Sequence, residues 1–348
     1  MILDLFGILP RKFNRKEVIV EKVGDGRVKV KLKPSGRSKS ILIKRFIELD
    51  RLFFEGLGLW QGEGGKSKGL YFGNNCPALI NHFLNFVERK LGIKRDEFKV
   101  TVNSPNLNEK EETIKERWSR LLKIPRENFT KVCYDARIRK EYAQVYINGV
   151  VLLMVVKTLH EKLRKIILQN TTYAASYIRG IIASEGSIHL KKSGVLSHVA
   201  ISTKNLDDME FYKVCLMVLG IKSTKYQEKR CAFPIYGKPN FIKMLNLGLV
   251  SLHPEKKVKF KSGLVKISRE VCTRKEMFRR ILVALSDGNK TYDELASITR
   301  KSRSVVQSHY IPLLEDLNLV RRVGKKGQAW LFGITEKGKE WLKDQVPP

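Results

Sequence analysis

The sequence predicts an α+β protein built on a repeated unit. Two segments, GLGLWQGEG at 56–64 and IRGIIASEG at 178–186, share a helix-like apolar pattern, an internal glycine (Gly58, Gly180) and a final Glu-Gly pair. Each is followed by a polar junction, Gly73-Asn74-Asn75 or Thr203-Lys204-Asn205, and then by an amphipathic helix closing in Leu-Gly-Ile-Lys, at 91–94 and 219–222. Strand-like alternation and a further apolar helix complete both copies. Each unit therefore reads αββαββα, over 49–169 and 170–265, in two pseudo-symmetric halves.

The other elements follow in order. Residues 1–48 carry 13 Lys/Arg against 5 Asp/Glu. Glu17–Val23 and Arg27–Lys33 alternate around Gly24-Asp25-Gly26, which predicts a hairpin in a small basic β-rich segment. Val28, Val30 and Leu32 face one way, and Arg27, Lys29, Lys31 and Lys33 the other. That second face is either simply solvated or a phosphate-facing ribbon, with Lys29 and Lys31 as candidate DNA contacts. In the first unit an extra helix at about 108–122 precedes a second hairpin, and an apolar helix follows at about 149–168. The second unit has a longer first hairpin turning near Ser193-Gly194, and a helix at about 239–247. Lys191, Lys192 and Lys204 are candidate contacts there.

From 273 the pattern changes. Met277, Ile281, Leu282 and Leu285 repeat at helical spacing. Residues 292–298 form a short second helix, and Ser302 starts a third, running to about Leu317 with a kink at Pro312. Two strands, 320–323 and 329–334, flank the turn Gly324-Lys325-Lys326-Gly327, and Thr335 caps a last helix. Three helices plus a basic hairpin, over 273–348, make the winged helix-turn-helix pattern. As a DNA module it would set Arg303 near phosphates and lay Arg321, Arg322, Lys325 and Lys326 on the neighbouring backbone. The same pattern also serves as a protein-interaction module.

Charge narrows the function. The 348 residues hold 67 Lys/Arg against 35 Asp/Glu, a formal net charge of +32. Such self-repulsion persists most readily when a polyanion neutralises it. Nucleic acid leads and an anionic membrane follows. The longest apolar run, about 149–156, falls well short of the roughly 20 residues of a spanning helix. The N-terminus lacks the marks of a signal peptide. A cytoplasmic, DNA-associated protein is expected. The five cysteines, Cys76, Cys133, Cys215, Cys231 and Cys272, are scattered without a CxxC, and the six histidines lack ligand spacing. Neither a zinc site nor a disulfide framework is expected.

The Glu-Gly pairs point to chemistry. A carboxylate at a helix C-terminus faces the negative end of the dipole, where stability favours Lys or Arg. The following glycine suits a left-handed helix end. An interior glycine costs about 1 kcal/mol against alanine, but it lets another helix backbone pack closely. Two such helices in contact would bring Glu63 and Glu185 together. Close carboxylates repel, and a divalent cation with hard-oxygen preference relieves them. Such a site suits phosphodiester hydrolysis.

In these segments the chain resembles the LAGLIDADG homing endonucleases, in their single-chain, two-motif form, over about residues 49–265. The resemblance implies that the two motif helices form the interface between halves. It implies that Glu63 and Glu185 bind the catalytic Mg²⁺ (Mn²⁺ substituting), helped by the carbonyls of Gly62 and Ser184. Each half would present a curved sheet to the major groove of double-stranded DNA, and both strands would be cut. Lys256 and Lys257 are similar to the family's late basic segment, with Lys257 as a catalytic candidate and Lys256 as a DNA contact. Two motifs in one chain imply a monomer, and the family association implies intron homing. The sixth motif position, often acidic in the family, is Gln61 and Ala183 here. The appended C-terminal module is similar to a bacterial sporulation-regulator family, in which a degenerate LAGLIDADG unit joins a helix-turn-helix. That leaves a non-cleaving, sequence-specific transcription regulator as the alternative. The retained acid pair favours the nuclease. An RNA-processing role is also open on charge alone.

Overall fold

The computed structural model describes residues 1–24, 26–33, 40–65, 67, 69–267 and 273–344. Asp25 of the first turn and Cys272 lie outside the described residues. The chain divides into two compact units, Met1–Ile267 and Ser268–Pro348.

The first unit opens with β1 (Ile2–Asp4), α1 (Leu5–Ile8), β2 (Lys12–Phe13), β3 (Lys16–Val23), β4 (Arg27–Lys33), β5 (Ile41–Lys44) and β6 (Phe46–Glu48). A four-stranded antiparallel sheet has the order β2-β3-β4-β5, and β1 pairs β6. The expected hairpin is β3–β4, with Val23 opposite Arg27. Val28, Val30 and Leu32 are buried, as the alternation requires. Lys29 is exposed, whereas Lys31 is half-buried in an ion pair with Glu21 at 2.5 Å.

Next come α2 (Arg51–Glu63), β7 (Gly69–Asn74), α3 (Pro77–Phe86), β8 (Lys99–Ser104), α4 (Glu111–Leu122), β9 (Phe129–Tyr134), β10 (Tyr142–Asn148) and α5 (Val150–Gln169). This departs from αββαββα. Among the described residues one strand, not two, precedes α3. The chain doubles back at once after α2: Gly64 bridges Phe72, and the Gly65 N–H reaches the Tyr71 carbonyl at 3.0 Å. Among the described residues the expected second hairpin is also absent, since β9 and β10 are not neighbours. The sheet order is β7-β10-β8-β9, with β8 and β9 parallel. Parallel neighbours need a crossover, and the extra helix α4 supplies it.

The chain continues through α6 (Thr171–Glu185), β11 (Gly186–Leu190), β12 (Leu196–Ser202), α7 (Leu206–Val218), β13 (Ala232–Ile235), α8 (Lys238–Asn246) and α9 (Pro254–Val265). The expected β11–β12 hairpin turns at Gly194, at φ +76°. The sheet stops at three strands, β11-β12-β13. Thr224 and Gln227 donate to the carbonyls of Pro234 and Ala232, at 3.0 and 2.8 Å. Proline has no N–H to return, so no fourth ladder grows on that edge. Among the described residues no helix is long and apolar enough to cross a membrane.

The second unit contains α10 (Arg274–Ser286), β14 (Lys290–Thr291), α11 (Tyr292–Thr299), α12 (Arg303–Val305), α13 (Ile311–Asp316), β15 (Val320–Lys326), β16 (Ala329–Ile334) and α14 (Glu336–Lys343). Its own core gathers Met277, Ile281, Leu282, Leu295, Val306, Ile311, Leu314 and Phe332. A π-turn at Val306–Tyr310 joins α12 to α13, just before Pro312, so the helix widens where a simple kink was expected. The basic hairpin is also longer than expected. Lys325 and Lys326 belong to β15, opposite Trp330 and Ala329, and Gly324 (φ +159°) marks a register shift, not the turn.

Candidate functional site

The helices α2 and α6 are apolar nearly all round. Every residue from Phe53 to Trp60, and every residue from Ala174 to Ser184, is buried. Such helices belong in a core, and these two pack on each other through glycine. A Cβ on Gly58 would run into the Tyr177 carbonyl oxygen, and one on Gly180 into that of Glu55. A Cβ on Gly62 would strike the Ser184 side chain and lie 3.1 Å from Glu185 Cγ. Backbone contact this close requires glycine. It carries through to the helix ends, where Glu63 and Glu185 are half-buried neighbours.

The left-handed helix ends expected at the following glycines do not form. Gly64 (φ −75°, ψ 147°) and Gly186 (φ −77°, ψ 141°) are extended. Glycine is needed there for space. The chain folds back over the last helical turn, and a Cβ would meet Trp60 in one case and the Ile182 carbonyl in the other.

Burial pushes the Glu63 carboxyl up to about 7, and the charge of Glu185 adds to the rise. The Asn74 amide opposes it, donating to Glu63 Oε2 at 2.6 Å, as does the Lys256 ammonium nearby. Asn74 Oδ1 accepts the Cys76 N–H at 2.8 Å, so the amide is held from both ends. Lys256, in the first turn of α9, donates to the carbonyls of Ile182, Ala183 and Ser184 at 3.1, 2.6 and 3.1 Å. It thereby caps the C-terminus of α6 and opposes its dipole. Burial brings its pKa down to about 8, with both glutamates resisting. Lys257, the expected catalytic lysine, is exposed. One residue on is about 100° round a helix, so the lysine facing the carboxylates is Lys256.

The donor set fits a hard divalent cation. Two carboxylates share a partly buried place, and their repulsion disappears when such an ion arrives. Glu63 and Glu185 could hold it. The Ser184 carbonyl is engaged by Lys256, and Gly62 lies in the last turn of α2. Among the described residues no three His, Cys, Asp or Glu side chains converge as ligands.

The raised carboxyl predicts a pH-dependent effect of Glu63→Gln in chelator. The free carboxyl ionises near 4.5 and the folded one near 7. Below pH 4.5 both states are protonated and the wild type bears no penalty. As pH rises to 7, the unfolded chain sheds a proton that the folded one keeps, so wild-type stability falls. Glutamine escapes this loss. Melting temperatures should favour the variant increasingly from pH 4.5 to 8, and a constant difference would contradict the assignment.

A second ionic group crosses the same helix pair. Arg179 Nη1 donates to Glu55 Oε1 at 2.5 Å, with both side chains under a tenth exposed. Arg51 Nε reaches Glu55 at 2.7 Å. His82 Nε2 lies 2.9 Å from the other carboxylate oxygen, which is a hydrogen bond when that nitrogen carries the proton. Burial pushes Glu55 up, but His82, Arg51 and Arg179 outweigh it and hold the carboxyl at about 2. Arg179 also donates to the carbonyls of Gly248 and Leu247, at 2.8 and 2.7 Å. It thus ties both motif helices to the segment leading into α9. The sequence carried a signal for this pair: one acid and one base standing in the apolar middle of the two helices.

The remaining candidates are scattered over exposed positions. Lys191 and Lys192 lie in the β11–β12 turn, and Lys204 just precedes α7; all three are exposed or partly so. Arg303 pairs with Asp293 at 3.2 Å, Arg322 with Glu315 at 3.2 Å and Lys326 with Glu294 at 3.4 Å. Arg321 and Lys325 are exposed on β15, and Arg322 and Lys325 lie over the Trp330 ring. Sequence reasoning missed the groove over β11–β13. This cavity of about 430 Å³ is lined by Ser187, His189, His198, Gln227 and Arg230, among others. His189 and His198 sit opposite each other in the ladder, with rings stacked at 4.3 Å. Alternation on β11 and β12 could have placed them on one face.

Comparison with known proteins bears on the second half of the helix pair. Residues 172–280 match the family model of a LAGLIDADG-like domain. The match takes in α6 with Glu185, the three-stranded sheet and α9 with Lys256. A search among curated proteins returned no match. Among solved structures, mesophilic variants of the homing endonuclease I-DmoI are similar at 17% identity over 60% of this chain and 96% of theirs, with a TM-score of 0.38. I-DmoI in complex with DNA and Mn is similar at 16% identity, over 57% and 97%, with a TM-score of 0.37. Full-length DUF199/WhiA from Thermatoga maritima is similar at 11% identity, over 76% and 90%, also with a TM-score of 0.37.

Proposed function

We propose that the protein is a divalent-metal-dependent endonuclease acting on double-stranded DNA. The observation that carries this reading is the pair Glu63 and Glu185 at the abutting ends of two glycine-packed helices. Stability alone gives no reason to place two acids there. The net charge of +32 suits a polyanionic substrate. Glu63 and Glu185 hold the cation, and Asn74 orients Glu63. When bound, Mg²⁺ or Mn²⁺ supplies the charge stabilisation and water activation that phosphodiester hydrolysis needs. The groove over β11–β13, with His189, His198, Gln227 and Arg230, faces base edges. Lys191, Lys192 and Lys204 contact flanking phosphates, and Lys29 and Lys31 extend the basic surface. The repeat halves 49–169 and 170–265 together supply both acids, so one chain suffices per cut site. Incubation with a plasmid library should yield linear product with Mg²⁺ or Mn²⁺ and none with EDTA or Ca²⁺. Cutting that survives chelation would overturn the reading.

A non-cleaving DNA-binding regulator is the second reading. One observation favours it: Lys256 already neutralises part of the acid pair. The plasmid assay decides between the two.

We further propose that residues 273–348 form a winged helix that binds DNA through Arg303, Arg321, Arg322, Lys325 and Lys326. Deleting 268–348 should weaken binding while leaving the cut position unchanged, because the acid pair lies in the other unit. Each lost phosphate contact flattens the slope of log affinity against log salt by about 0.9. An unchanged slope would mean that this unit binds something other than DNA.

A further inference from the structure

We propose that Lys256 is a built-in cation: its ammonium occupies the end of α6 where a divalent ion would bind, and the ion enters that half only by displacing it. This rests on the reading of Glu63 and Glu185 as cation ligands. An ammonium has three N–H donors and no more. All three are spent on the carbonyls of Ile182, Ala183 and Ser184. In this arrangement Lys256 has no donor left for a phosphate or a water. One of its acceptors, the Ser184 carbonyl, belongs to the residue directly before Glu185. The ammonium also lies in the field of both glutamates, so it removes part of the negative charge that would attract an ion.

The lysine does not reach this place from a loose segment. The helix α9 is seated by Phe260, fully buried against Phe241. It is also seated by Gly263, where a Cβ would come 2.5 Å from Leu190 Cδ2 and 3.1 Å from the Leu196 backbone. Arg179 holds the carbonyls of residues 247 and 248 leading into it. With the backbone anchored at both sides, the ammonium leaves by rotation of its own side chain. The exchange is thus local: one monovalent charge swaps for one divalent ion, and the helix end keeps a cation throughout.

The test is Mn²⁺ binding to the DNA-free, full-length protein, followed by electron paramagnetic resonance and by melting temperature. Lys256→Met should bind Mn²⁺ at least about tenfold more tightly than wild type, because a like charge a few ångströms away has gone. Its melting temperature should start lower, for loss of the helix cap, and gain more from Mn²⁺. Glu185→Gln should abolish the binding in both backgrounds. Equal or weaker affinity in Lys256→Met, with Glu185→Gln still abolishing it, overturns the proposal and leaves the cation site standing. Binding that is indifferent to Glu63→Gln and Glu185→Gln overturns the cation site itself, and the proposal with it. Should Lys256→Met fold poorly, the wild type suffices. The protected Lys256 ammonium should give a hydrogen-bonded NMR signal that disappears on saturation with Mg²⁺, and a signal unmoved by Mg²⁺ overturns the proposal.

Discussion

Glu63→Gln or Glu185→Gln should reduce double-strand cleavage on the order of 10³-fold or more, while DNA affinity holds or tightens. Removing one electrostatic group at a hydrolytic centre costs about 10²–10³-fold, and here the group removed would also hold the metal. Both substitutions keep the side-chain volume and a carbonyl oxygen. In Glu63→Gln that oxygen can still accept the Asn74 amide, which in the wild type bonds Glu63 Oε2. The helix contacts through Gly58, Gly62 and Gly180 are untouched, so loss of activity would report chemistry. Binding should survive because each change removes a negative charge from the surface proposed to meet a polyanion. The measurements are linearisation of a cognate plasmid in Mg²⁺ and a mobility shift in Ca²⁺. Full cleavage by either variant would end the assignment of the acid pair.

Arg179→Met should cost on the order of 3 kcal/mol of stability. Removing one partner of a buried ion pair is that expensive because the other charge remains. Glu55, 2% exposed, would keep Arg51 and His82, and the Leu247 carbonyl would lose the Arg179 donor, while that of Gly248 would keep the Ser251 N–H and hydroxyl. The effect should depend on pH. The folded Glu55 ionises at about 2, against 4.5 for the free carboxyl. Its stabilisation is therefore present above pH 4.5 and fades as pH falls through 2. Urea denaturation at pH 7 and pH 3 should show a smaller penalty at the lower pH. Adding Glu55→Leu to Arg179→Met should recover part of the loss, since the orphaned charge has gone. A penalty below about 1 kcal/mol at pH 7 would mean that the pair contributes little.

Much of this architecture was legible in the chain. Alternation placed Val28, Val30 and Leu32 inside, because a strand has period 2 and the hairpin turn sets its register. The two glycine-bearing apolar segments announced a helix pair in close contact. The doubled Glu-Gly ending announced carboxylates side by side. These are local patterns, and local stereochemistry decides them. The strand count was not legible. Whether β9 pairs with β10 or with β8 depends on a crossover that α4 makes possible. Whether the segment 221–227 becomes a strand depends on which edge Pro234 presents to it. Which of Lys256 and Lys257 faces the acid pair was not legible for a similar reason. Adjacent lysines on a helix point about 100° apart, and sequence alone gives no phase until α9 docks. Docking turned Lys256 onto the last carbonyls of α6 and left Lys257 in solvent. The sequence by itself determined that two acids end two glycine-packed helices in a strongly basic chain. Only the tertiary structure decided which amide and which ammonium meet those acids, because partners far apart along the chain become neighbours only when their elements pack.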